Sequence, residues 1–152
     1  MPVPAEYQRA TEAFTAFLVD AREEAGLWST HAAYTMTQGV FRTFRRRLTV
    51  AQALAFANAL PVGLRALFVA DWTPDAPAPF ESPARLIKEV RSLRPDHNFA
   101  PDTAIRDVAA ALARHVDAAA WSRALAQLPD EARAFWEPGW RTARETDETA
   151  DV

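Results

Sequence analysis

Sliding the sequence against itself by 68 positions lays residues 34–72 on residues 102–140 without a gap, and no other feature limits the fold as much. Nine pairs are identical: Thr35/Thr103, Val40/Val108, Arg46/Arg114, Ala51/Ala119, Leu60/Leu128, Pro61/Pro129, Arg65/Arg133, Ala66/Ala134 and Trp72/Trp140. The apolar pattern coincides as well. Val40, Phe41, Phe44 and Leu48 fall on Val108, Ala109, Leu112 and Val116, at spacings that draw one stripe of an amphipathic helix in each copy. Units this short do not bury their apolar faces alone, so they are expected to pack those faces on one another. The sequence therefore reads as all-α. Two tandem copies of a roughly four-helix unit form one helical bundle or short helical-repeat domain. Unit one covers about 5–72 and unit two about 83–140, with a connector at 73–82 and a polar tail at 141–152.

Local signals place the helices. The first is expected over about Ala5 to Ala25, with Phe14, Phe17, Leu18 and Ala21 on one face and Gly26 as its stop. Its counterpart opens at Ser82-Pro83 and carries Leu86, Ile87, Val90 and Leu93. The second helix of each unit runs from about Thr30 to Arg47, capped by Ser29, and from about Asp102 to His115. The third begins at Thr49, where Thr49 and Gln52 can form a capping box, and at Asp117. The fourth follows Leu60-Pro61 and Leu128-Pro129, where a proline lacking an N–H costs a helix start nothing. Residues 73–81 hold three prolines and read as a stiff, extended connector. Beyond Trp140 the chain turns acidic at Glu145, Asp147, Glu148 and Asp151, and is expected to fray.

Composition removes several classes of function. With no cysteine there can be no disulfide, thiolate zinc site or cysteine nucleophile. A formal net charge of −3 argues against a grip on nucleic acid or an anionic membrane. The start of the chain has neither the basic residues nor the apolar run of a signal peptide. The most apolar stretch, Ala53 to Ala70, is interrupted by Asn58, Pro61 and Arg65, so a cytoplasmic protein is expected.

The pattern Phe17-Leu18…Ala25-Gly26-Leu27, followed by Leu60-Pro61-x-x-Leu64-Arg65-x-Leu67-Phe68 and Trp72, resembles a family of small bacterial proteins classed only as a domain of unknown function. The resemblance runs from about Phe14 to Trp136. It implies a duplicated helical unit with Leu-Pro before a short helix and a tryptophan closing the first half. The second copy departs from it, with Arg94-Pro95-Asp96-His97 in place of the Ala-Gly-Leu helix ending. The motifs concern packing, and no catalytic or ligand residue carries over.

Chemistry-bearing groups are sparse. His31, His97 and His115 form no i, i+4 pair and no His-Glu-x-x-His, so no metal site is expected, although Asp96-His97-Asn98 is a loop triplet that could ligate. Glu23-Glu24 reads as a solvated helix end, and no serine elbow or glycine-rich phosphate loop occurs. Arg42, Arg45 and Arg46 lie opposite the Val40–Phe44–Leu48 stripe and form a small cationic face, whose simplest role is to offset the helix dipole. Trp72 and Trp140 are expected to plug the core at equivalent positions. Trp28 and Trp121 have no aromatic counterpart and are the better surface candidates. These residues describe a non-enzymatic interaction module without catalytic residues or cofactor, partnered by another protein or by its own copies. The alternatives are a nucleic-acid binder using the arginine face, and a small-molecule binder or enzyme with a site between the units.

Overall fold

Capping side chains, those of Ser29, Thr49, Ser82 and Asp117, set four of the helix starts. A computed structural model describes residues 2–150, with nine helices and no strand among them. These are α1 (Ala5–Gln8), α2 (Ala10–Ala25), α3 (Thr30–Arg45), α4 (Val50–Ala57), α5 (Val62–Val69), α6 (Pro83–Ser92), α7 (Ala104–His115), α8 (Ala118–Ala126) and α9 (Asp130–Ala150). Ser29 accepts a hydrogen bond from the Ala32 amide at 3.0 Å, and Asp117 accepts one from the Ala120 amide at 2.9 Å. Thr49 and Gln52 form the reciprocal capping box, and Gly26 ends α2 in the left-handed conformation. The Leu-Pro motif also has a physical reason. Arg65 donates to the Leu60 carbonyl at 3.1 Å and Arg133 to the Leu128 carbonyl at 2.9 Å, so each arginine serves the carbonyl before its proline. No described helix is long and apolar enough to cross a membrane.

Three boundaries differ from the sequence reading. The first helix is interrupted at Arg9. The second ends at Arg45, because Arg47 and Leu48 turn back to donate to the carbonyls of Phe44 and Arg45. The last helix does not stop at Trp140 but continues to Ala150 with Pro138 inside it. Its residues 141–150 are rich in Arg, Glu, Thr and Ala and carry no further Gly or Pro to break the ladder. The side chains of Asp147 and Glu148, and the whole of Asp151, lie outside the described residues.

The halves cross. α2 packs on α3 and on α7, α3 packs on α6, and α7 packs on α9, while α4 meets both α5 and α8. The first long helix of each half thus lies against the second helix of the other. Ion pairs follow the same exchange. Arg114 on α7 reaches Glu24 on α2 at 2.7 Å, and His115 meets Asp20 beside it. Arg46 and Arg47, just past α3, both meet Glu89 on α6. Glu24 is therefore engaged between helices, not solvated as its sequence position implied.

One apolar cluster runs from Phe17 to Trp136 and draws on both halves. Its centre is aromatic: Phe44 lies 4.9 Å from Phe56 and 5.0 Å from Trp136, and Phe56 stacks on Trp136 at 5.6 Å. The tryptophans are rearranged relative to expectation. Trp136 and Trp121 are the large buried rings, while Trp72 and Trp140 are only partly buried at its edge. Among the described residues the Trp136 indole N–H meets no hydrogen-bond partner, a cost of about 1–3 kcal/mol that its packing must outweigh.

The α3–α6 crossing depends on Gly39, where a Cβ would stand 2.5 Å from the Val90 carbonyl oxygen. Gly39→Ala is expected to destabilise the fold by about 1–3 kcal/mol through overpacking. In an exposed helix the same change would add roughly 1 kcal/mol of stability. Urea unfolding measures the sign, and a stabilised variant would show that the two helices do not meet at this point.

Candidate functional site

The arginine cluster is mostly structural. Arg45 is 7% exposed, and its guanidinium donates to the carbonyls of Phe68 at 3.0 Å and Ala70 at 2.9 Å, capping the end of α5. It also lies 5.5 Å from the Trp72 ring centre, a cation–π contact. Burial, and then the charge of Arg42, hold its guanidinium below the ordinary arginine value, with Asp71 opposing them. The expectation that Arg45 joins an outward cationic face is corrected: α5 ends directly above it with carbonyls in need of donors. Arg42 pairs with Asp71 at 3.6 Å, and Arg46 with Glu89. A cavity of about 390 Å³ lies here, and the aspartates Asp71 and Asp75 line it together with Arg42, Arg45 and Arg46.

Arg47 is likewise buried. It donates to Thr43 and Pro79 carbonyls and to Glu89, which fastens the connector to the bundle. The Ala78 amide donates to the Arg46 carbonyl at 3.1 Å and fastens it a second time.

The two candidate tryptophans separate. Trp28 is 79% exposed between α2 and α3, as a surface residue should be. Trp121 is 2% exposed, lies 5.3 Å from Phe56 and stacks on Trp140 at 4.9 Å, so its assignment to the surface is corrected. No aromatic contact among the described residues links it to Trp28. The histidines are dispersed too: His31 stacks on Tyr34, His97 is exposed, and His115 meets Asp20. Among the described residues no three His, Asp or Glu side chains gather as a metal site would require. Asn98 is buried and occupied with backbone, donating to the Val90 and Leu93 carbonyls.

A second cavity, of about 440 Å³, is an open groove where α6, α7 and α9 meet the end of the connector. Leu86, Ile87 and Phe135 form its buried floor, with Phe80, Ile105 and Pro138 above them. Its charged lining residues, Glu81, Asp102, Arg106 and Glu131, are all exposed. Sequence reading missed this groove, because it joins residues from the connector and three separate helices. The one local signal was Pro138, a proline inside an amphipathic pattern.

Asp107 is buried within one helical turn of the groove residue Thr103, whose hydroxyl donates to it at 2.6 Å. Burial raises the carboxyl above its ordinary value, against the opposing effects of the Thr103 hydrogen bond and Arg106. An acid with a raised folded value binds protons more readily folded than unfolded, so its contribution to stability is lost as pH rises through the folded value. Asp107→Asn keeps an acceptor for Thr103 and removes the buried charge. It is expected to raise the melting temperature at pH 7, with a smaller gain below pH ~4. Calorimetry at both pH values checks this; equal gains would mean that the charge is not the cause. For the arginines, Arg45→Ala is expected to cost about 2–3 kcal/mol, and Arg42→Ala to stay within about 0.5 kcal/mol. Equal losses in urea unfolding would contradict the inward placement of Arg45.

No curated protein matches the chain. The model of a family described as "Uncharacterized conserved protein (DUF2267)" matches residues 14–147, nearly the whole helical body, and the chain belongs to this family.

Proposed function

We propose that the chain is a non-enzymatic binding module that receives an apolar segment of another protein in the groove between α6, α7 and α9. The observation that carries this reading is the groove itself: an apolar floor of Leu86, Ile87 and Phe135 open to solvent, with the charged groups kept to its lip. An apolar core with a polar rim is the usual anatomy of a protein interface, and side chains seated in such a pocket supply most of the binding energy. The arginine face supports the rival nucleic-acid reading less well. Arg45 and Arg47 serve backbone carbonyls, and Arg42 and Arg46 already face carboxylates, which leaves little charge to neutralise phosphates.

Selection from a random peptide display library tests the reading. Enriched peptides should share two or more large apolar residues and bind in the micromolar range. They should lose binding to Ala134→Trp, in which an exposed groove residue is enlarged without entering the core. Selected peptides that bind this variant as well as the wild type would place the interaction elsewhere.

A further inference from the structure

We infer that the segment received by this groove is a helix with apolar anchors flanked by lysine or arginine. The inference rests on the binding-module reading above and adds the partner's chemistry. Of the four charged residues lining the groove, Glu81, Asp102 and Glu131 are acidic and only Arg106 is basic. Asp102 is partly neutralised by Arg91 at 2.8 Å, so Glu81 before α6 and Glu131 at the start of α9 stand against Arg106 alone, an excess of one negative charge.

A second observation points the same way. Pro138 has no N–H, so the Ala134 carbonyl loses the donor that the helix would have supplied, and both residues line the groove. Carboxylates and a carbonyl can only accept hydrogen bonds, whereas lysine and arginine only donate them. An occupant covering these acceptors without offering donors would bury them at a cost. The overall charge of −3 favours the approach of the same partners. The helical form follows from the walls. The described residues include no strand, hence no sheet edge to which an extended peptide could add, and grooves between helices take an amphipathic helix by its i, i+3 and i+4 side chains.

The test uses the full chain and two fluorescein-labelled model helices with identical leucine positions, one carrying lysine and the other glutamate at the charged positions. Fluorescence anisotropy at about 150 mM salt should show the lysine helix binding about tenfold or more tighter than the glutamate helix, a ratio within reach of two or three rim ion pairs. Glu81→Lys/Glu131→Lys should remove that preference, Glu81→Gln/Glu131→Gln should reduce it, and Ala134→Trp should abolish binding of both helices. The glutamine variant, isosteric at exposed positions, keeps the test valid if charge reversal disturbs folding. Equal affinities for the two helices, both lost in Ala134→Trp, would overturn the basic partner and leave the groove reading standing. Binding of the lysine helix that survives Ala134→Trp would overturn both. Failure of both helices to bind would overturn the present inference, while the peptide selection judges the groove on its own.

Discussion

Everything in this molecule depends on the exchange of helices between its halves. α2 lies on α7 and α3 on α6, so each half completes the packing of its helices with helices of the other. One apolar cluster draws on both halves, and its aromatic centre joins Phe44 of α3, Phe56 of α4 and Trp136 of α9. Arg114 with Glu24, and Arg46 and Arg47 with Glu89, sit on these crossings. Partly buried pairs of this kind fix register more surely than they add stability, because desolvation offsets most of their attraction. Close approach does the rest at Gly39, which brings the α3 backbone against that of α6.

Much of the helical layout was legible because caps are local. Ser29, Thr49 with Gln52, Ser82, Asp117 and the two Leu-Pro steps each mark a boundary within a few residues of sequence, and each cap makes its hydrogen bond in the fold. What failed depended on contacts between distant segments. Trp121 looked exposed because it has no aromatic counterpart in the repeat. Yet the 68-residue register places it on Ala53 and places Trp136 on Phe68, and both of those residues are buried. Reading the register for burial, and not only for identity, would have found the aromatic centre. Arg45 failed for a related reason: helical geometry turns it away from the stripe, but the carbonyls of Phe68 and Ala70 arrive from a segment 23 and 25 residues later. The groove could not be read locally at all, since Phe80, Leu86, Ile105 and Phe135 belong to four different segments.

The two cavities differ in what remains available. At the end of α3 the polar groups are largely satisfied: guanidinium donors meet carbonyls and carboxylates, and aspartates share the lining with arginines. In the groove the floor is apolar and open, and three of the four charged groups at its lip are carboxylates, against one arginine. Recognition needs unsatisfied capacity more than it needs charge as such.

The connector gives the groove a second master. Phe80, part of the groove wall, follows directly on Pro79, whose carbonyl is held by Arg47, and Arg47 shares Glu89 with Arg46 at the α3–α6 crossing. The width of a groove built mainly by the second half is therefore tied to a residue of the first. Linkage runs both ways. Under the proposed function, an occupant seated against Phe80 would be coupled through Arg47 and Glu89 to the α3–α6 crossing.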